Sequence, residues 1–319
     1  MKRREFIGSI AAASLLGAAG RIEASPVYRT LEDAAGKKKT SKRGIDESLV
    51  CLMTDIHLAP GAYQHDRIRK VVSDMLAQDT LPGYLIILGD LACKSGSKEE
   101  YLALKEVIKP VEDAGIRITM AMGNHDWRPN FAEVFPEYAA KSLVADRMVF
   151  TVETPNVDFI VLDSLIQPET YGRSQTKGEI SESQRTWLET TLAAHSDKPV
   201  FVCAHHPLSD TSLDRTIQKY ACVKGYLYGH DHRWRRDFLL PFGRGNGGGV
   251  LQTLCLPSTG QWGDLGYVMM PTTDSRADAI LHQDDFFFPA PAASEDQIPL
   301  QWKLIVEQHK ETRCSFALK

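Results

Sequence analysis

The 319-residue sequence holds six cysteines and no two of them in C-x-x-C spacing, which removes the zinc-ribbon and thioredoxin-type readings. It has no apolar run of the ~20 residues a spanning helix needs. Neither sign of charge dominates: 37 basic and 41 acidic residues leave a formal net charge of −4. The whole-chain field therefore gives no reason to expect nucleic acid or an anionic membrane as partner. No internal repeat, glycine-rich phosphate loop, or serine or cysteine nucleophile motif is present. What is there is ordinary for a soluble globular chain: 43% hydrophobic and 24% charged residues, enough to bury a sizeable core.

The chain opens Met1-Lys2-Arg3-Arg4-Glu5-Phe6-Ile7 and continues in small or apolar residues to Ala19. A basic head before a short apolar stretch reads as an export signal, and Arg3-Arg4-x-Phe6-Ile7 resembles the twin-arginine type. Residues 1–24 are read as that signal, with cleavage after Gly20 or Ala24, which implies an extracytoplasmic or periplasmic protein. No stable membrane insertion is expected after cleavage. No cysteine precedes Cys51, so no lipid anchor is expected. Residues 25–47, with Lys37-Lys38-Lys39 and Lys42-Arg43, read as a polar, solvated linker. A single domain over 48–319 follows.

Short apolar runs recur through the middle of the chain: Leu49–Met53, Tyr84–Leu88, Ile116–Met122, Val200–Ala204 and Gly225–Tyr228. Their length and polar boundaries predict buried strands. Between them, apolar residues at helical spacing predict helices over Asp66–Leu76, Glu99–Val111 and Ser181–Ala194. The last begins with a Ser181-x-x-Gln184 capping pattern. This alternation predicts an α/β fold with parallel strands, whose ligands bind beyond the strands' carboxyl ends. Further strands are expected over 148–152, 157–162, 250–254, 267–270, 278–281 and 302–307, forming a second sheet packed on the first. Gly243–Gly249 reads as a flexible loop and Phe286–Phe288 as a core-facing strand end. A Cys222–Cys255 disulfide is chemically permitted, with nothing in the sequence to favour it.

The chemistry sits at the strand ends. They deliver, in order, Asp55-Ile56-His57, Gly89-Asp90, Gly123-Asn124-His125-Asp126, His205-His206-Pro207 and Gly229-His230-Asp231-His232. Six of the ten histidines lie there. Carboxylate, imidazole and amide oxygen donors suit borderline or hard divalent and trivalent cations. Residues two apart on an extended segment point the same way, so Asp55 and His57 can share a target, as can His230 and His232.

The ordered set D-x-H, G-D, G-N-H-D, H and G-H-x-H resembles that of the calcineurin-like metallophosphoesterase superfamily, strongly from Leu49 to about Trp234. The resemblance implies a four-layer α-β-β-α sandwich of two mixed sheets. It also implies two metal ions, divalent or an iron–divalent pair, with Asp55, His57 and His232 on one and Asn124, His205 and His230 on the other. Asp90 would bridge them, one oxygen to each. A hydroxide between two cations can attack phosphorus in line while the phosphate charge is neutralised. His125 would serve the leaving oxygen as general acid or cationic stabiliser. Asp126 is read either as orienting that imidazole or as a helix N-cap. His205, which directly ends its strand, is preferred to His206 as ligand; His206 would then stand behind it or face the substrate. Asp163, at the end of another strand, reads as structural.

Tyr63, His65, Trp127, Arg128, Trp234, Gln261 and Trp262 flank the motifs and are candidates to line a pocket. Trp127 would stack on a base or simply pack. The compact spacing of His205 and His230 looks like the bacterial cyclic-nucleotide and glycerophosphodiester phosphodiesterase branch, which points to a small phosphodiester. Phosphomonoesters, nucleotides or pyrophosphates on the same metals form the second reading. A catalytically silent metal-binding module is the third, and it would be expected to have lost ligands that this chain keeps.

Overall fold

The computed structural model describes residues 44–172, 175–195, 198–239, 250–283 and 309–319. The expected signal, nearly all of the expected linker, the Gly243–Gly249 loop, Phe286–Phe288 and the expected strand over 302–307 lie outside the described residues.

Two six-stranded mixed sheets form the body. The first is laid down by β1 (Ile45–Met53), β2 (Leu81–Ile87) and β3 (Arg117–Met120), all parallel, with helices α1 (Tyr63–Ala77) and α2 (Lys98–Asp113) as crossovers. Its other half is β10 (Tyr267–Pro271), β11 (Arg276–His282) and β12 (Arg313–Ala317), antiparallel to their neighbours. The order is β12-β11-β10-β1-β2-β3. The second sheet has the order β4-β5-β6-β7-β9-β8. Here β5 (Asp158–Val161), β6 (Val200–Cys203), β7 (Val223–Tyr228) and β9 (Leu251–Cys255) are parallel. The edges β4 (Phe150–Glu153) and β8 (Arg235–Leu239) run against them. Helix α5 (Glu182–Ala194) links β5 to β6; the short α3 (Arg128–Val134) and α4 (Pro136–Ala139) follow β3, and α6 (Leu208–Thr211) and α7 (Asp214–Ile217) follow β6.

Strand alternation explains the layers. Phe159, Val161, Phe201, Cys203 and Leu227 face the first sheet and share a core with Val50, Leu52, Ile86 and Val268. Their neighbours Ile160, Val202, Tyr226 and Tyr228 face the other way, into a separate core with Leu188 and Leu192 of α5. Successive strand side chains alternate faces, so one short apolar run serves two interfaces. The result is the expected four-layer arrangement.

Local signals hold at the helix starts. Ser97 and Glu100 form a reciprocal capping box on α2. Ser181 Oγ accepts the Gln184 backbone N–H at 3.4 Å on α5 and the Gln184 side-chain amide at 3.4 Å; that side chain also pairs with both backbone groups of Asp163 at 2.9 and 3.0 Å, in place of the reciprocal bond to the Ser181 N–H. The first strand begins at Ile45, three residues before the expected domain border. All six cysteines are free, so the Cys222–Cys255 bridge is not formed. Asp163 is structural, as expected: it takes the Arg128 guanidinium on both oxygens at 2.6 and 2.7 Å. Among the described residues, no helix is long and apolar enough to cross a membrane.

Candidate metal centre

All five motifs lie just beyond the carboxyl ends of β1, β2, β3, β6 and β7, and backbone bonds tie these loops into one unit. Asp55 N–H donates to Gly89 O at 3.1 Å, His57 N–H to Asp90 O at 2.9 Å, and Gly229 N–H to His205 O at 3.0 Å. A sixth loop, after β9, closes the two sheets over the site: Thr259 and Gly260 donate to the carbonyls of Thr54 and Asp55 at 2.9 and 3.0 Å.

The side chains converge into two groups. In the first, His232 Nε2 lies 3.0 Å from Asp55 Oδ1 and 3.2 Å from His57 Nε2, and His57 Nε2 is 3.8 Å from Asp55 Oδ1. In the second, Asn124 Oδ1 lies 3.0 Å from His230 Nδ1 and 3.3 Å from His205 Nε2. Asp90 Oδ2 stands between them, 3.6 Å from His57 Nε2 and 3.3 Å from His205 Nε2. One oxygen faces both groups, where one oxygen to each was expected. The other, Oδ1, accepts the His125 backbone N–H at 2.9 Å.

These residues fit cations. Asp55 Oδ1 is buried without a hydrogen-bond partner, as is His57 Nδ1. His205 and His232 each give their Nδ1 proton to a backbone carbonyl, Leu88 O and Trp262 O, both at 2.8 Å. That fixes the tautomer and leaves an Nε2 lone pair facing the oxygen donors. Without a cation, charge pairing substitutes. Burial alone would raise the Asp55 carboxyl, yet His232 and His205 hold it below its ordinary value. Burial likewise pushes the Asp90 carboxyl up, and His205 and His125 overcome it, holding it well below its ordinary value. His205 is pushed up to about 9, Asp90 outweighing its burial. His232 is raised by Asp55 against the same penalty. His57 is pushed down to about 3, burial winning over its carboxylate neighbours.

Backbone strain concentrates here. Asp55, His57, Asp90, His230 and His232 adopt φ between 46° and 66°, the left-handed region that side chains with a Cβ rarely visit. Strain of this kind persists where the surroundings over-determine it and clusters at functional sites. The packing leaves no slack: a Cβ on Gly123 would meet Asp90 Oδ1 at 2.3 Å.

His125 borders the centre, its ring edge-on to His57 with centroids 4.8 Å apart. Its Nδ1 is 2.8 Å from Cys93 O, so a backbone carbonyl orients it. Asp126 does neither of the things expected of it. Its oxygens accept from the N–H groups of Leu91, Ala92 and Gly123 at 3.2, 3.1 and 2.9 Å, and from the Tyr101 hydroxyl at 3.1 Å. It is a buried staple between the loops after β2 and β3. Burial and the Asp90 charge push its carboxyl up to about 7 despite those three N–H groups.

A cleft of about 810 Å³ opens over the centre. Tyr63, Gln64, Cys93, Lys94, Thr176, Gln261 and Trp262 line it together with His57, Asp90, Asn124, His125, His230 and His232. Tyr63, Gln261 and Trp262 were foreseen; Gln64, Lys94 and Thr176 were not, because no motif marks them. His65 is a correction: two positions along the helix from Tyr63, it lies outside the cleft lining and turns toward Glu106 on α2, 4.0 Å away. Trp127 is another: it lies outside the cleft lining, packed edge-on against Tyr171 with centroids 5.1 Å apart. Arg128 is taken by Asp163, and Trp234 is buried with its Nε1 proton on Glu311 O at 2.9 Å. His206 is fully buried beside His205 and His230.

Residues 49–234 match the family model described as calcineurin-like phosphoesterase. Over 200 residues the chain is 28% identical to a "probable cyclic nucleotide phosphodiesterase" of Rhodococcus erythropolis, covering 56% of this chain and 63% of that protein. Over 167 residues it is 28% identical to a "probable glycerophosphodiester phosphodiesterase" of Arcobacter nitrofigilis, covering 48% of this chain and 57% of that one. The match thus spans less than two thirds of either relative. A dimetal phosphatase from Danio rerio shares the fold, with a TM-score of 0.57 at 14% identity over 74% of this chain and 96% of its own.

Proposed function

The chain belongs to the calcineurin-like phosphoesterase family, and from that premise we propose that it hydrolyses a small phosphodiester at a two-cation centre. The observation that carries this is the pair of convergent donor groups sharing Asp90 Oδ2. Asp55, His57 and His232 would hold one cation, Asn124, His205 and His230 the other, and Asp90 both. Bound cations supply charge neutralisation of the phosphate and a water acidic enough to serve as nucleophile near neutral pH. The donor set suits iron, manganese or zinc alike.

His125 is the residue placed to serve the leaving oxygen. Its Nδ1 proton is held by Cys93 O, so Nε2 is the atom free to donate from the imidazolium form. Proton transfer or charge at that point is worth about 10²–10⁴ in rate. Tyr63, Gln261 and Trp262 wall the cleft where the ester's organic groups would lie. Among the lining residues Lys94 is the one permanent cation, which favours the singly charged diester over a dianionic monoester. The names of the two relatives point the same way. Rates on bis- and mono-(p-nitrophenyl) phosphate test this: faster diester cleavage supports the reading, and faster monoester cleavage favours the monoesterase.

We also propose export through the N-terminal segment, on the strength of Arg3-Arg4-x-Phe6-Ile7. A reporter fused to residues 1–43 should stay inside the cell when Arg3 and Arg4 become lysine; undiminished export would contradict the twin-arginine route.

A further inference from the structure

The first turn of α1 brings Tyr63 to the cleft, yet that turn has little of its own to hold it. Its N-cap is Ala62, and no side chain caps it. Alanine cannot accept the free N–H groups that a serine or aspartate would take. The wall formed by Gln261 and Trp262 is different. Gly260 packs so closely that a Cβ there would meet Ile56 O at 1.8 Å. Gln261 N–H donates to Ser258 Oγ at 3.0 Å, and Trp262 O is held by His232 at 2.8 Å. One wall is built onto the motif loops; the other is an uncapped helix end.

Arg67, one turn after Tyr63, joins the two. Its guanidinium lies over the Tyr63 ring, 5.1 Å from the centroid, and its Nη1 donates to Gly260 O at 3.3 Å. The residue is only 7% exposed. Burial pulls the guanidinium below its ordinary value against the opposing influence of Tyr63, and among the described residues no carboxylate acts on it. A buried cation without a counter-ion is costly. A leucine or methionine would cover this helix face without that cost, so packing alone does not account for an arginine here. A planar guanidinium can lie on an aromatic ring and give an N–H to a carbonyl at the same time.

We propose that Arg67 is a positioning residue that sets the specificity of the cleft: it ties Tyr63 to the fixed 260–262 segment, so that the slot they line is preformed for a flat organic group on the phosphate. The proposal rests on the phosphoester reading above. Preorganisation lowers the ordering cost of binding, and here it acts on the organic substituent, leaving the phosphoryl group to the cations and His125.

The test uses the full chain loaded with zinc. Methylphosphonate and phenylphosphonate are the probes: the same charged head, no cleavable ester, and a small or a flat substituent. Metal content and the two affinities by calorimetry are the readouts. The wild type should bind phenylphosphonate the more tightly. Arg67→Met, of similar length but with no charge or donor, should keep its metal and its methylphosphonate affinity and lose about three- to tenfold in phenylphosphonate affinity. Arg67→Lys, which keeps a cation and a donor, should recover part of that loss. Tyr63→Ala should show the same selective loss, and adding Arg67→Met to it should cost little more. An equal loss on both probes, loss of metal from Arg67→Met, unchanged phenylphosphonate affinity, or full additivity with Tyr63→Ala would each overturn the proposal. A wild type that takes up neither metal nor either phosphonate contradicts the parent reading itself.

Discussion

The Asp90 carboxylate is divided between two tasks: Oδ1 accepts the backbone N–H of His125 at 2.9 Å, while Oδ2 lies 3.3 Å from His205 Nε2. One side chain therefore both positions the loop that carries the acid and faces the two donor groups. Asp90→Asn keeps an acceptor for the His125 N–H but loses the anion. It should fold with a midpoint close to wild type, lose most of its metal, and lose at least about a hundredfold in kcat/KM. Elemental analysis beside thermal unfolding checks this; full metal content in the variant would remove Asp90 from the bridging role.

His125 should separate chemistry from metal binding. His125→Ala leaves every proposed ligand in place, and His125 contributes its ring only to Cys93 O and the face of His57. Metal content should be unchanged and kcat should drop about 10²–10⁴-fold on a diester with a poor leaving group. The deficit should shrink on p-nitrophenolate esters, whose leaving group needs little protonation. An equal loss on both substrates would argue against the leaving-group role.

Asp126 predicts a stability effect. Asp126→Ala removes the acceptor for three buried N–H groups and for the Tyr101 hydroxyl. Destabilisation of about 3–5 kcal/mol is expected from orphaning such donors. Tyr101→Phe should cost less, about 1–2 kcal/mol, because the hydroxyl bridges only Asp126 and the Trp127 N–H. Denaturant midpoints check both. A stable Asp126→Ala protein with an altered pH–rate profile would instead restore it as a partner of His125.

The metal-free protein should lose stability as pH rises. His205 sits at about 9 in the folded chain against an ordinary 6.5, and His232 is also raised. A histidine raised on folding contributes fully below its unfolded pKa, about 6.5, and the contribution is lost as pH climbs through the folded value. The apo melting temperature should therefore fall between about pH 6.5 and 9. Metal loading should release protons and tighten with pH across the same window. Calorimetry in buffers of different ionisation enthalpy measures that release; a pH-independent affinity with no protons released would contradict it.

Much of the site was legible because its donors follow short apolar runs directly or after one residue, and a strand end is a place that a run of five residues can define. Asp55, Asp90, Asn124, His205 and His230 were each locatable that way. What could not be read depends on contacts remote in sequence. Asp126 is claimed by N–H groups of Leu91 and Ala92, and no local pattern distinguishes that from a cap or an imidazole partner. His65 and Tyr63 are two positions apart on one helix, and only the packing of α2 decides which faces the cleft. The left-handed φ of His57 and His232 comes from loops over-constrained by their neighbours; composition carries no trace of it. Strand β8 escaped because an exposed edge strand needs no apolar run, and Arg235-Arg236-Asp237 offers none.

The central claim is a two-cation phosphodiesterase centre, and metal stoichiometry measured beside bis-(p-nitrophenyl) phosphate hydrolysis, before and after chelation, tests it most directly. The account predicts about two metal ions per chain, activity abolished on chelation and restored by a divalent ion. A chain that binds no metal under any loading condition, or that hydrolyses the diester undiminished after chelation, would contradict it.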